Sequence, residues 1–461
     1  MKWHPAEKLS QREITSGLKN IVFDGLATEA MTTLTGGTFL TAIAIYLGAS
    51  NIQIGLLASL PAMTNITQLA AIWLVQRYRN RRAIAVVSNA MARFPLLLIG
   101  IMPLIFTAGA SIKALIFLLF FHYLFGSLAG PGWNSWMKDL IPSGKLGSFY
   151  SHRGRLMQIL SVSLSLVMAL VIDHVKLKHP GQEITMYAIM FIVGGVVGMA
   201  GVYFLSSTPE PKTTMNNDSL MLMMKKPLQN ENFRRLMYFQ VAWSFALNIA
   251  TPFYSVFVLK TLGIPISYLV FLGIITQLSS IGTIRLWGKF SDAYSNKTIL
   301  RITAPLYAFC ILCWTITEIP TGRSTVLVML GLIHIATGVF TAGINLSLGN
   351  IGLKLAPKED AISYIVVRSM LMAAFASLAP IVGGALADFF VTREFNIGFH
   401  LGSVHIQLLR IRHLGFLFIL ASAMAMLSMS LLNRVEEDGE VVVKPSILYA
   451  LFLRRLWRNK L

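Results

Sequence analysis

One structural plan occurs twice along the chain. A frame that opens on a proline and closes on an arginine runs from Pro142 to Arg153 and again from Pro357 to Arg368, both members displaced by 215 residues. A Tyr-x-Asn-basic pattern occurs as Tyr78-Arg79-Asn80-Arg81 and as Tyr294-Ser295-Asn296-Lys297, displaced by 216, and the Leu47-Gly48 turn returns as Leu262-Gly263. A near-constant offset at three separate places describes two halves of about 215 residues built alike, which in an apolar chain is the mark of a repeat-built membrane protein.

The solvent follows from composition. Apolar residues make up 55% of the 461 positions and charged residues 13%, where a soluble domain carries roughly 25% charged. Stretches of about 20 apolar residues, enough to cross a bilayer, fall near 20–47, 52–75, 83–108, 113–138, 155–177, 185–207, 235–260, 266–288, 299–317, 325–352, 362–390 and 413–433. The expected fold is an all-α polytopic membrane protein of twelve transmembrane helices in two six-helix bundles. The bundles are expected at 1–207 and 235–433, with a cytoplasmic linker at 208–234 and a tail at 434–461 whose apolar run ends in a basic cluster, as in a helix lying on an anionic membrane surface.

The formal net charge of +19 invites a nucleic-acid reading, but the positions of the charges argue against one. Of 39 lysines and arginines, 30 fall in one alternating set of loops and tails and eight in the other, and Arg93 lies inside a span. That asymmetry places both termini and the linker in the cytoplasm. Cys310 and Cys313 form a Cys-x-x-Cys inside the ninth span with no histidine or second cysteine pair nearby, so packing is expected there and no metal or cofactor.

The loop Gly288-Lys289-Phe290-Ser291-Asp292-Ala293-Tyr294-Ser295-Asn296-Lys297 resembles the signature loop of the major facilitator superfamily. Its first-half counterpart keeps the basic cluster at Arg77, Arg79, Arg81 and Arg82 but has Ile72 and Gln76 where the pattern has glycine and acid. The resemblance implies a pseudo-two-fold axis between the bundles, a central cavity lined by spans one, four, seven and ten, and alternating access. It also implies gating roles for Asp292, Arg77, Arg81, Arg153, Arg368, Pro142 and Pro357, with Asp292 reaching the start of the fifth span.

Polar residues are costly in lipid and so should face the interior. They gather on the four spans that the resemblance assigns to the cavity: Asp24, Glu29 and a run of threonines around Gly36-Gly37; His122, Trp133 and Asn134; Gln240, Trp243, Ser244 and Asn248; His334 and Asn345. Glu29, near the middle of its span, reads as a proton carrier or solute ligand, or else as the partner of Arg93; if Arg93 is instead met by the solute, the solute is anionic. Asp24 is expected nearer the cytoplasm, against Lys19 or the linker. His122 and His334 read as proton relays or ligands, or as rings bonded to a hydroxyl or carbonyl. The expectation is therefore a non-enzymatic, monomeric secondary transporter in a bacterial-type inner membrane, moving a small organic solute with a proton, uptake favoured over efflux because span five lacks a Gly- and Pro-rich stretch. A multidrug or metabolite antiporter, a lipid-acting membrane enzyme and a non-transporting sensor are the rival readings.

Overall fold

In the computed structural model, residues 5–7, 9–212, 220–319, 322–357, 361–401, 404–437 and 440 are described. Beyond Glu440 the expected surface helix of the tail lies outside them. Among the described residues, eleven helices are long and apolar enough to cross a membrane. The remaining apolar stretch, the first expected span, is not one helix. It is split into α1 (Gln11–Thr35) and α2 (Gly37–Tyr46). A capping box, in which Ser10 and Glu13 bond each other's backbone N–H, starts α1 nine residues earlier than hydropathy suggested. The break sits at Gly36, with Gly37 at φ +53, a left-handed conformation that glycine adopts without a Cβ penalty.

By contacts the chain forms two units, Met1–Asn217 with Tyr254–Val270, and Asp218–Phe253 with Phe271–Leu461. This division differs from the repeat in one respect: the segment at 254–270 groups with the first unit. That unit contains α3 (Asn51–Thr64) and α4 (Gln68–Tyr78), joined by a 3-10 turn into one span, then α5 (Arg81–Ile101), α6 (Ala108–Leu140), α7 (Leu146–Lys178) and α8 (Glu183–Ser206). Within it α1 packs on α7 and α8, and α5 on α6 and α8. The glycines of α8 explain the closeness: a Cβ at Gly198 would lie 2.6 Å from Met31 Sδ, and one at Gly201 would lie 2.7 Å from an Arg93 nitrogen. Small residues at helix interfaces are how membrane helices approach without a hydrophobic drive between them.

The second unit contains α9 (Leu220–Gln229), most of α10 (Glu231–Val256) and of α11 (Ile266–Tyr294), then α12 (Asn296–Cys313), α13 (Arg323–Lys354), α14 (Ala361–Phe390) and α15 (Leu414–Leu432). The segment read as a plain linker thus contains a ten-residue helix, α9, which packs on α14. The segment between α14 and α15 is ordered too. It forms an antiparallel hairpin, β1 (Glu394–Leu401) with β2 (Val404–Arg412), bulged between Ile397 and Gly398. Arg412 anchors it through a 3.0 Å bond to the buried carboxylate of Glu318.

The Pro380-x-x-Gly383-Gly384 stretch of α14 has a packing explanation. A Cβ on Gly383 would run into the Ile249 carbonyl of α10, so only glycine allows these two helices their distance. Gly383→Ala should therefore lower stability by about 1–3 kcal/mol, the usual cost of overpacking a tight core, read as a lower melting temperature of the purified protein. Gly349→Ala, at a helical glycine with nothing within 4 Å of its would-be Cβ, should leave it unchanged.

Candidate functional site

The first span holds three adjoining features: a backbone break, a buried ion pair and a half-buried acid. At the break, α1 ends at Thr35 and no side chain caps the N-terminus of α2. Non-helical backbone at membrane depth persists only where protein or a water-filled cavity meets its polar groups. One turn before it, Thr33 shares a 3.0 Å hydrogen bond with Ser161 of α7.

Arg93 of α5 is 2% exposed and its partner is Asp24, at 3.2 Å. It also donates to the Thr28 hydroxyl at 2.8 Å and to the Gly198 carbonyl. This corrects two expectations. Arg93 does not meet Glu29, and Asp24 is buried against Arg93 instead of reaching Lys19 or the linker. The physical reason is register: Asp24 and Thr28 lie one turn apart on the face that α1 turns toward α5 and α8, whereas Glu29 is half-buried on another face. Arg153 lies within reach of the charge of Asp24 first and, more weakly, of Glu29.

The two arginines of the repeated frame take matching roles, each inside its own unit. Arg153 donates to the Ile21 carbonyl of α1 at 3.3 Å, stacks over Trp133 of α6 at 5.3 Å and fills the space beside Gly25. Arg368 donates to the Gln240 side chain of α10 at 2.6 Å and packs beside Gly352 of α13. Gln240 stands 216 residues after Asp24, and it passes the contact on by donating to the Leu348 carbonyl at 3.3 Å. Each frame therefore clamps the start of one span to the first helix of its half. Pro142 and Pro357, exposed before α7 and α14, end the preceding segments.

A second matched pair was not recognised from sequence. Glu210 accepts from the backbone N–H of Arg81 and Arg82, each at 3.0 Å, and from Arg81 Nε at 3.0 Å. Arg81 is fully buried and also meets Asp139 at 2.5 Å and the Pro211 carbonyl. Glu437 does the same in the second unit: it accepts from the N–H of Asn296 at 3.3 Å and of Lys297 at 2.7 Å, and meets Lys354 at 3.2 Å. A carboxylate at a helix N-terminus satisfies open N–H groups and faces the positive end of the macrodipole. Arg81, expected as a gating residue, is thus the buried centre of a cluster within one unit. Asp292 and Arg77 are exposed.

The histidines are both engaged in side-chain packing. His122 Nδ1 lies 2.7 Å from the Ala92 carbonyl, and His334 Nδ1 lies 2.8 Å from the Thr276 hydroxyl with its ring against Trp314. Trp243 is 2% exposed within the apolar core of its unit. Asn248 bonds Ser244 one turn earlier, and Asn134 and Asn345 are exposed. Among the described residues no cluster of metal-ligating side chains exists.

A further carboxylate joins the ends of two membrane helices. Both oxygens of Asp173, near the end of α7, accept backbone N–H bonds at the start of α11, from Ile266 at 3.1 Å and Ser267 at 2.8 Å. Asp173 and Ile266 line a cavity of about 530 Å³ with Tyr46, Lys176, Glu183 and Tyr187.

The sequence profile described as the Major Facilitator Superfamily matches residues 25–380. No curated protein sequence matches the chain. Among solved structures, the chain is similar to the nucleoside transporter NupG, at 14% identity and TM-score 0.65 over 92% of this chain and 100% of that one. It is also similar to the E. coli xylose transporter XylE in an inward-open conformation, at 13% identity and TM-score 0.62 over 94% and 99%. A bacterial homologue of the human lysosomal transporter Spinster matches at 12% identity and TM-score 0.63 over 94% and 98%. At such identities these likenesses describe the fold alone.

The paired caps carry a testable consequence. Burial acts to raise the Glu437 carboxyl, but the N–H and amide groups of Lys297 and Asn296 and the Lys354 ammonium outweigh it and hold it below its ordinary value. A carboxylate so depressed stabilises the fold above its unfolded value, about 4.3 for glutamate. That contribution disappears as pH falls through the lower folded value. Glu437→Gln and Glu210→Gln should each cost roughly 1.5–3 kcal/mol at pH 7, the range for hydrogen bonds to a charged group. For Glu437→Gln the difference in melting temperature from the parent protein should shrink as the pH is taken below about 4.3.

Proposed function

Because the chain belongs to the major facilitator superfamily, we propose that it is a secondary active transporter that carries a small organic solute by alternating access, coupled to protons and running as uptake. The observation that supports coupling is the division of labour on α1. Asp24 is held by Arg93 and Thr28, whereas Glu29, five residues on, is half-buried and has no ion pair among the described residues. A membrane-embedded acid outside a structural ion pair can take a proton from one side and release it to the other. The Arg93–Asp24 pair also removes the basis for an anionic solute, so an uncharged polar solute is the reading preferred here. The charge asymmetry of the loops supports termini on the cytoplasmic face of an inner membrane.

Glu29→Gln should abolish solute accumulation driven by a pH gradient in proteoliposomes while sparing solute exchange, since the amide is a carboxyl that never ionises. Asp24→Asn should instead impair folding. It leaves Arg93 buried without its counter-charge, a loss of about 3–5 kcal/mol for such pairs, and Arg93→Leu added to it should restore yield. Normal accumulation by Glu29→Gln would move the proton site elsewhere.

Alternating access needs contacts that close each side in turn, and the Asp173 bridge supports such a role at the outer side. Asp173→Asn weakens a charge-assisted cap, so a cysteine replacing buried Ile264, in a protein whose native cysteines are serines, should react faster with an impermeant thiol reagent applied from outside. An unchanged rate would show that the cap does not hold that side shut.

A further inference from the structure

The second unit carries a basic groove that the transport reading does not use. It lies between the start of α10 and the chain that follows α15, encloses about 450 Å³ and is lined by Arg234, Arg235, Tyr238, Lys297, Leu431 and Arg434 among others. Two of its four cations are already neutralised. Arg235 meets Glu231 at 2.6 Å and Glu436 at 3.3 Å, and Lys297 meets Glu440 at 2.8 Å. The groove's own acids, Glu231 and Glu436, are therefore both turned to Arg235. Among the described residues the Arg234 side chain donates to the Leu228 carbonyl alone, at 3.4 Å, and neither it nor Arg434 is ion-paired. Two guanidinium forks thus stand over one cavity without a counter-anion among the described residues, and Lys225 and Lys226 are exposed on the helix just before it.

The walls of the groove continue onto lipid-facing surface. Tyr238, whose ring is 59% exposed, forms one wall. Leu431 forms part of the other, and Leu427, one helical turn deeper on the same face of α15, is 72% exposed. An occupant must then be anionic at one end and apolar along its length. Guanidinium groups match phosphate oxygens in a planar, two-pronged arrangement, and a tyrosine at this height suits the boundary between headgroups and chains.

We propose that this groove binds the phosphate headgroup of an anionic phospholipid, with Arg234 and Arg434 as its ligands and its chains running down past Tyr238 and Leu427. Assignment to the cytoplasmic leaflet rests on the orientation proposed above; the chemistry of the groove does not. The fold leans little on either side chain: that of Arg234 makes one long 3.4 Å bond to a carbonyl six residues away, and the described bonds of residue 434 are made by its backbone, from its N–H to Leu431 and to its carbonyl from Arg235.

The test is the melting temperature of the purified protein in mixed micelles, with native mass spectrometry for retained lipid. The expected result has three parts: phosphatidylglycerol stabilises the parent protein more than phosphatidylcholine, inorganic phosphate does not, and the Arg234→Gln/Arg434→Gln variant loses the phosphatidylglycerol increment while its melting temperature in phosphatidylcholine is unchanged. The Arg234→Lys/Arg434→Lys variant should retain a smaller increment, because an ammonium keeps the charge but not the fork. The assignment is overturned if the glutamine variant keeps the full increment, or if phosphatidylcholine or inorganic phosphate stabilises as well as phosphatidylglycerol. No arm reads transport, so the result stands apart from whether solute and proton move as proposed.

Discussion

A bilayer offers no water to a charge or to an open helix end, and the architecture follows from how this chain meets that demand internally. Three of its helices begin where a carboxylate from elsewhere in the chain waits for them. Glu210 receives the N-terminus of α5, Glu437 that of α12, and Asp173 that of α11. Each comes from a distant part of the chain, so the cap that completes a helix also ties two spans together. An isolated N-cap from the adjacent residue, such as Asn80 for α5, satisfies one donor; the long-range carboxylate satisfies two and adds a tertiary tie.

The same constraint separates structural from functional charge in the first span. Arg93 cannot remain in the interior alone, and α8 makes room for its pair with Asp24 by offering Gly198 and Gly201 where any side chain would collide. With Asp24 closed against Arg93, Glu29 stands half-buried on α1 without an ion pair among the described residues. Five positions along one helix separate a group that builds the bundle from the one proposed above to exchange a proton.

Much of this was legible in the sequence. The 215-residue offset located the matching arginines before their clamps were seen, and the apolar stretches located the membrane helices, because both signals are periodic and survive averaging. The break at Gly36 did not survive it: hydropathy runs smoothly from Met31 to Tyr46, and only a backbone angle distinguishes two helices from one. The partner of Arg93 was misjudged because depth along a helix was considered and the face around it was not. Glu210, Glu437 and Asp173 were missed for a common reason. Their partners are backbone N–H groups, which every residue carries and no sequence pattern reveals.

The position of Glu210 and Glu437 in the chain has a consequence for biogenesis. Each belongs to the segment that follows the sixth span of its half, yet each receives a helix that begins more than 100 residues earlier. As the chain emerges from the ribosome, α5 and α12 have only their local caps, Asn80 and Ser295, and the N–H groups of their first two residues stay open until all six spans of their half have been made. The last residue needed to finish each bundle is thus among the last synthesised, and a nascent chain released before it would present an open helix end, a ready mark of incompleteness.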